Sequence, residues 1–113
     1  YLELYTVSSS QYLALGDAAM ATAIMLEQVL LDGARPEALH FFQEAANKMP
    51  GGECAVAQSG AAMTINYGCP AVRQQTCVAL ADLADTFAEA REPARSQEQR
   101  ERARTQFGCS VRP

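Results

Sequence analysis

From Leu2 to Leu31 the chain contains no proline, and Gly16 is the only glycine in that stretch. Leu13, Met20, Ile24 and Leu31 recur at helical spacing and share one face, while Glu3, Ser10, Asp17 and Gln28 fall on another. Asp32-Gly33 closes the segment, with glycine just past the end of a helix. A helix of about 30 residues is roughly 45 Å long. A compact domain of this size is only about 35 Å across. The sequence therefore predicts a helix longer than its own domain, part of which projects or lies on a partner. Its first residues (Tyr1, Leu2, Leu4, Tyr5, Val7) would make that end apolar and sticky. The Ser8-Ser9-Ser10 run offers the other reading. It would act as a kink or cap, the helix would start near Gln11, and nothing would project.

A length of 113 residues suits one domain, here 1–113. The hydrophobic share is 49%, but 21 of those residues are alanine and there is no tryptophan. Such a core returns little per buried residue, so a further stabiliser is expected. Cys54, Cys69, Cys77 and Cys109 form an even set without CxxC spacing, and their gaps match no common zinc pattern. Two disulfides in an oxidising compartment are the leading expectation; four free core thiols are the alternative. The longest largely apolar run, Ala18–Leu26, is short of the roughly 20 residues that span a membrane. The chain has no initial Met and no basic region leading into an apolar one, so it reads as a mature or excised piece.

Charge is uneven. Residues 1–90 carry three basic and ten acidic side chains, whereas residues 91–113 carry six arginines and three glutamates. The basic stretch is short, interleaved with Glu92, Glu98 and Glu101, and lacks aromatics for base stacking, so nucleic acid is not expected as a partner. Head-to-tail packing of like subunits would use such asymmetry. A solvated helix with internal ion pairs such as Glu98–Arg102 would explain it equally well.

A second helix is predicted from Arg35-Pro36-Glu37, with Leu39, Phe42, Ala46 and Met49 on one face, ending at Pro50-Gly51-Gly52. The period then changes to two. Glu53–Gln58 and Ala61–Tyr67 read as a β-hairpin turning at Ser59-Gly60. Gly68-Cys69-Pro70 breaks the second strand. Cys77, Leu80, Ala84 and Phe87 then make a helical stripe, and a charged helical segment runs from Ser96 to Phe107.

Catalytic patterns are weak. His40 is the only histidine, so no histidine-based metal site can form, and a surface role is its plainer reading. Asp82 and Asp85 share a helix face, where carboxylates are usually just solvated. No phosphate-cradling glycine loop is present. We therefore expect no catalytic residues, no metal and no cofactor, and a role in binding or assembly.

One constellation is more specific. A long N-terminal helix leads to a helix ending in Met49-Pro50-Gly51-Gly52. A short strand, a glycine turn and Met63-Thr64-Ile65-Asn66-Tyr67 follow, then Pro70 and Cys77-Val78-Ala79-Leu80. Over roughly residues 1–80 this resembles the globular part of a type IV pilin or minor pilin. The resemblance implies an α+β fold: a long N-terminal spine helix (1–32) packed on a small antiparallel sheet. A second helix and loop (33–52), a β-hairpin (53–67) and a disulfide-closed, helical C-terminal region (68–113) would follow. It implies a structural or minor subunit of a pilus or related pseudopilus, serving adhesion, motility or secretion. Tyr5, Leu13, Met20 and Ile24 would form its assembly helix and other pilin subunits would be its partners. It also implies an extracytoplasmic location (pilus, cell surface or periplasm), with membrane anchoring only through an apolar segment preceding Tyr1. Residues 81–107 depart from the pattern, being helical where pilins often place strands, and four cysteines exceed the single bridge common in that family.

The resemblance further implies a Cys77–Cys109 bridge, which would leave Cys54 with Cys69. Strand geometry objects to the second pair. With Ser59-Gly60 as the turn, Cys54 faces Ile65 and Cys69 lies roughly 13 Å beyond, while a disulfide needs Cα atoms within about 7 Å. Either Gly68 bends the strand back, or another connectivity holds. The alternative to a pilin is a secreted or periplasmic, all-α, disulfide-stapled binding protein such as an inhibitor, immunity protein or sensor domain.

Overall fold

The computed structural model describes residues 2–110 of the chain, so Tyr1 of the apolar N-terminal end and Arg112 of the basic tail lie outside the described residues. The long first helix does not form. Helix α1 (Leu2–Ala14) ends in a short turn and α2 (Ala18–Asp32) runs back along it. Gly16 in the turn has φ of +83°, a left-handed conformation that costs residues with a side chain about 1–2 kcal/mol. Asp17 then caps α2, its carboxylate accepting a hydrogen bond from the Met20 N–H at 3.0 Å. The hairpin is antiparallel. Ser9 Oγ donates to the Ala21 carbonyl at 3.2 Å across it, and nearer the open end Tyr5 feels the Glu27 carboxyl. The serine run is thus neither kink nor cap. It lies inside α1, where the small buried Ser9 lets the two helices approach.

Helix α3 (Pro36–Asn47) starts at proline, as the sequence predicts, and buries Leu39, Phe42 and Ala46, with Met49 buried just past its end. A 3-10 turn (Gly52–Cys54) leads into β1 (Val56–Ser59), which pairs antiparallel with β2 (Ala62–Ile65). Ser59 faces Ala62, so the turn is Gly60-Ala61, one place later than expected. Helix α4 (Pro70–Glu89) and helix α5 (Pro93–Phe107) complete the fold.

The α+β expectation is therefore corrected. Five helices carry the core, and the only sheet among the described residues is this two-stranded hairpin, mostly exposed. The architecture is that of the alternative, an all-α, disulfide-stapled bundle. The physical reason is coverage. Four-residue strands rich in alanine and polar side chains offer too little apolar surface to cover a long helix. Helix stripes bury one another instead. Helix α2 sits centrally against α1, α3 and α4, and Met25, Leu26, Phe42, Val72 and Leu80 are fully buried between them. The described residues measure 38 × 27 × 25 Å with a radius of gyration of 13.6 Å, and no helix projects beyond them.

Helix α5 leans on α4. Ser96 Oγ donates to the Ala84 carbonyl at 2.7 Å, Arg95 stacks 4.3 Å over the Phe87 ring, and Arg100 pairs with Asp85 at 3.2 Å. The predicted Glu98–Arg102 pair is replaced by Glu101–Arg104, while Arg102 lies close enough to Tyr67 to offset part of the rise that burial imposes on its phenol.

Both disulfides form: Cys54–Cys69 with Cα atoms 5.5 Å apart, and Cys77–Cys109 with 5.7 Å. Two shifts remove the geometric objection to the first. Cys54 sits in the 3-10 turn before β1, and Val56 rather than Cys54 faces Ile65. After β2 the chain bends back at Asn66. Its side chain accepts from the Gly68 N–H at 3.1 Å and donates to the Cys54 carbonyl at 2.9 Å, drawing Cys69 home. Two such bridges fit an oxidising, extracytoplasmic setting. No helix of the described residues is long and apolar enough to cross a membrane.

Candidate functional site

The break at Gly16 redistributes the residues expected to form an assembly helix. Tyr5 and Leu13 lie on α1, Met20 and Ile24 on α2, all half-buried, so the four do not share a stripe. Gln28, placed by periodicity on a polar face, is fully buried. What lies open instead is the outer side of α1. Leu4, Val7 and Leu15 in the following turn are 69%, 51% and 80% exposed. Their spacing returns them to one helix face. Glu3 is the sole charged residue in α1. Beside this face a groove of about 410 Å³ runs between α1 and α3, lined by Thr6, Val7, Ser10, Gln11, Ala14 and Phe41. From Thr6 to Ala14 it follows α1 for about 12 Å. Its small side chains leave room for a ridge from another helix.

The opposite side of α1 borders a cleft of about 380 Å³. Its wall comprises Tyr5 from α1, Gln28, Leu31 and Asp32 from α2, Phe87 from α4 and Arg95 from α5. Behind it, the Glu27 carboxyl is buried and within hydrogen-bonding reach of Asp82. Loss of water, with that hydrogen bond and the Asp82 charge, pushes Glu27 up to about 9. Glu27 is therefore protonated at neutral pH and donates to the Asp82 carboxylate. Burial, and then the two carboxyls, raise the Tyr5 phenol as well.

The aspartates weighed as a catalytic pair part company. Asp85 binds Arg100, and Asp82 faces Glu27. His40 is exposed on α3 and stands edge-on to Phe41. Among the described residues no three His, Cys, Asp or Glu side chains converge as metal ligands. Leu4 and Val7 were legible only as general stickiness at the N-terminal end, and Leu15 carried no sequence signal. Gln28 read as part of a polar face, and Glu27 and Arg95 carried no sequence signal, because their setting is created by the packing of the helices on one another. The chain matches no family model, no curated protein and no solved structure.

Proposed function

We propose that the chain is an extracytoplasmic, disulfide-stapled helical binding protein that holds an apolar helix of a partner polypeptide along α1. The observation that carries this reading is the open face of Leu4, Val7 and Leu15 beside the α1–α3 groove. The three stand along one side of α1 with Ser8 and Gln11 between them, and large apolar side chains left open together support an interaction site. The near absence of charge on α1 disfavours nucleic acid or lipid headgroups and suits an apolar ridge. The turn at Gly16 favours this reading over a pilin subunit, whose assembly spine needs one continuous helix.

Photo-crosslinking tests it. A benzophenone amino acid replaces Val7 or Leu15, and Arg104, exposed on α5, as a control, in the native cell envelope. The expected result is adducts from Val7 and Leu15 alone, mapping to an apolar helical segment of another protein. Adducts to a second copy of the chain, equal adducts from Arg104, or none at all would contradict it.

A further inference from the structure

The groove between α1 and α3 is lined entirely by uncharged side chains, yet its edges are acidic. Phe41 is the α3 residue that lines it. On a helix, the residues four before and three after a given side chain stand on the same side. Glu37 and Glu44 therefore flank Phe41 along the α3 edge, and both are exposed. Neither makes an ion pair among the described residues. On α1, exposed Glu3 heads the stripe that continues through Thr6, Ser10 and Ala14. Lys48 lies on the same ridge as Glu44, one turn beyond it, and Arg35 at the start of α3 is bound to Asp32 at 3.0 Å. We propose that the partner helix seated in this groove is cationic and amphipathic, with an apolar ridge in the groove and Lys or Arg beside that ridge, facing Glu37 and Glu44. This rests on the groove reading above and specifies the chemistry of the partner.

Glu37 and Glu44 are about 10.5 Å apart along the α3 axis, close to the roughly 12 Å of α1 that the groove follows. One helix of two to three turns can therefore meet both carboxylates, with cations seven residues apart. The α1 side offers Leu4, Val7 and Leu15 and no charge between them, so the partner's charges belong on its α3 side. Exposed ion pairs add little affinity each. The apolar ridge supplies the binding, while the carboxylates set which helix is accepted and how fast it arrives. Unpaired carboxylates also repel an acidic helix, which is selection by exclusion. The wider field has the same sign, since residues 1–90 carry ten acidic and three basic side chains. A second copy of the chain does not supply this occupant. Its basic helix, α5, has no aliphatic side chain larger than alanine apart from the proline at its start, and so presents no apolar ridge.

The test is binding of three synthetic fluorescent helices to the full, oxidised chain, read by anisotropy and stopped-flow mixing. All are alanine-rich peptides of about 20 residues, long enough to be helical, with one leucine ridge. The first carries two lysines seven residues apart beside the ridge. The second carries the same two lysines on the face opposite the ridge, and the third has glutamines in place of the lysines of the first. At about 50 mM salt the first should bind about fivefold tighter than either of the others, chiefly through faster association, and about 0.5 M salt should shrink that advantage. Glu37→Gln combined with Glu44→Gln should remove it. Glu89→Gln combined with Glu98→Gln, at exposed positions on α4 and α5, makes the same change in net charge and should leave it in place. Equal binding of the first and third peptides would overturn the cationic flank while leaving the groove reading standing. Equal binding of the first and second, or loss of the advantage in the Glu89 and Glu98 variant, would reduce the effect to net charge and overturn it too. Binding of none of the three at about millimolar peptide would also overturn the inference, and the Val7 adducts report separately on the groove.

Discussion

At the scale of single residues, Glu27 gives the molecule its clearest dependence on pH. In the unfolded chain this carboxyl loses its proton near 4.5, whereas in the fold it holds the proton up to about 9. Between those values folding takes up a proton. Stability from this group is therefore fully present below pH 4.5, falls as pH rises through the window, and levels off above 9. Glu27→Gln keeps a donor toward Asp82 but cannot ionise. Urea titrations at pH 5, 7 and 8.5 should show the variant gaining on the wild type as pH rises; parallel curves would show that Glu27 is ionised in the fold. None of this was legible beforehand. Residue by residue, Glu27 is one acid in an acidic stretch, and only the return of α2 beneath α1 and against α4 takes it out of water.

At the scale of elements, the decisive residue is Gly16. Its sign under substitution separates two structures. In one continuous helix, Gly16→Ala would stabilise by about 1 kcal/mol through helix propensity. In the hairpin, φ of +83° makes alanine costly although nothing crowds the position, and a loss of about 1–2 kcal/mol is expected from thermal or urea unfolding. The sequence displayed this glycine, and Asp17 after it, inside a Pro-free run whose other candidate break was Ser8-Ser9-Ser10. Periodicity across the break still produced a stripe, because Leu13, Met20, Ile24 and Leu31 happen to keep helical spacing through the turn. The elements with strong local signals came through. Pro36 opens a helix as expected, and Pro70, read only as the end of a strand, and Pro93 open helices too, as first-turn prolines do. The hairpin exists, with its turn moved by one residue. Its importance was overread, since alternation over four residues says nothing about how much surface a strand pair can cover. The binding surfaces are the least legible part. Whether Leu4 and Val7 face a neighbour or solvent depends on which side of α1 the returning α2 occupies.

At the scale of the whole molecule, an alanine-rich core is held by two covalent staples placed at different ends of the order. Cys54–Cys69 pins the 3-10 turn before the hairpin to the start of α4, and Cys77–Cys109 ties the end of α5 to α4. Their loops, of 15 and 32 residues' separation, are each worth about 3–4 kcal/mol in the loop-entropy view. That is a large share of the roughly 5–15 kcal/mol that holds an ordinary domain folded. Reduction should therefore lower the melting temperature steeply. Replacing only Cys77 and Cys109 with serine should raise hydrogen exchange in α5, which leans chiefly on α4, more than in α2. Uniform exchange across all helices would show that the bridge does not act locally. The same compactness that the staples enforce is what leaves α1 with one face in the core and one in solvent.

The chain turns back at Gly16, so that α1 is a surface element of a closed bundle. Spin labels at Glu3 and Asp32, both exposed near the open end of the hairpin, measure this directly by pulsed dipolar spectroscopy. Packed antiparallel helices predict a separation of roughly 20 Å or less. A distance near 44 Å, the span of those residues along one unbroken helix, would contradict it.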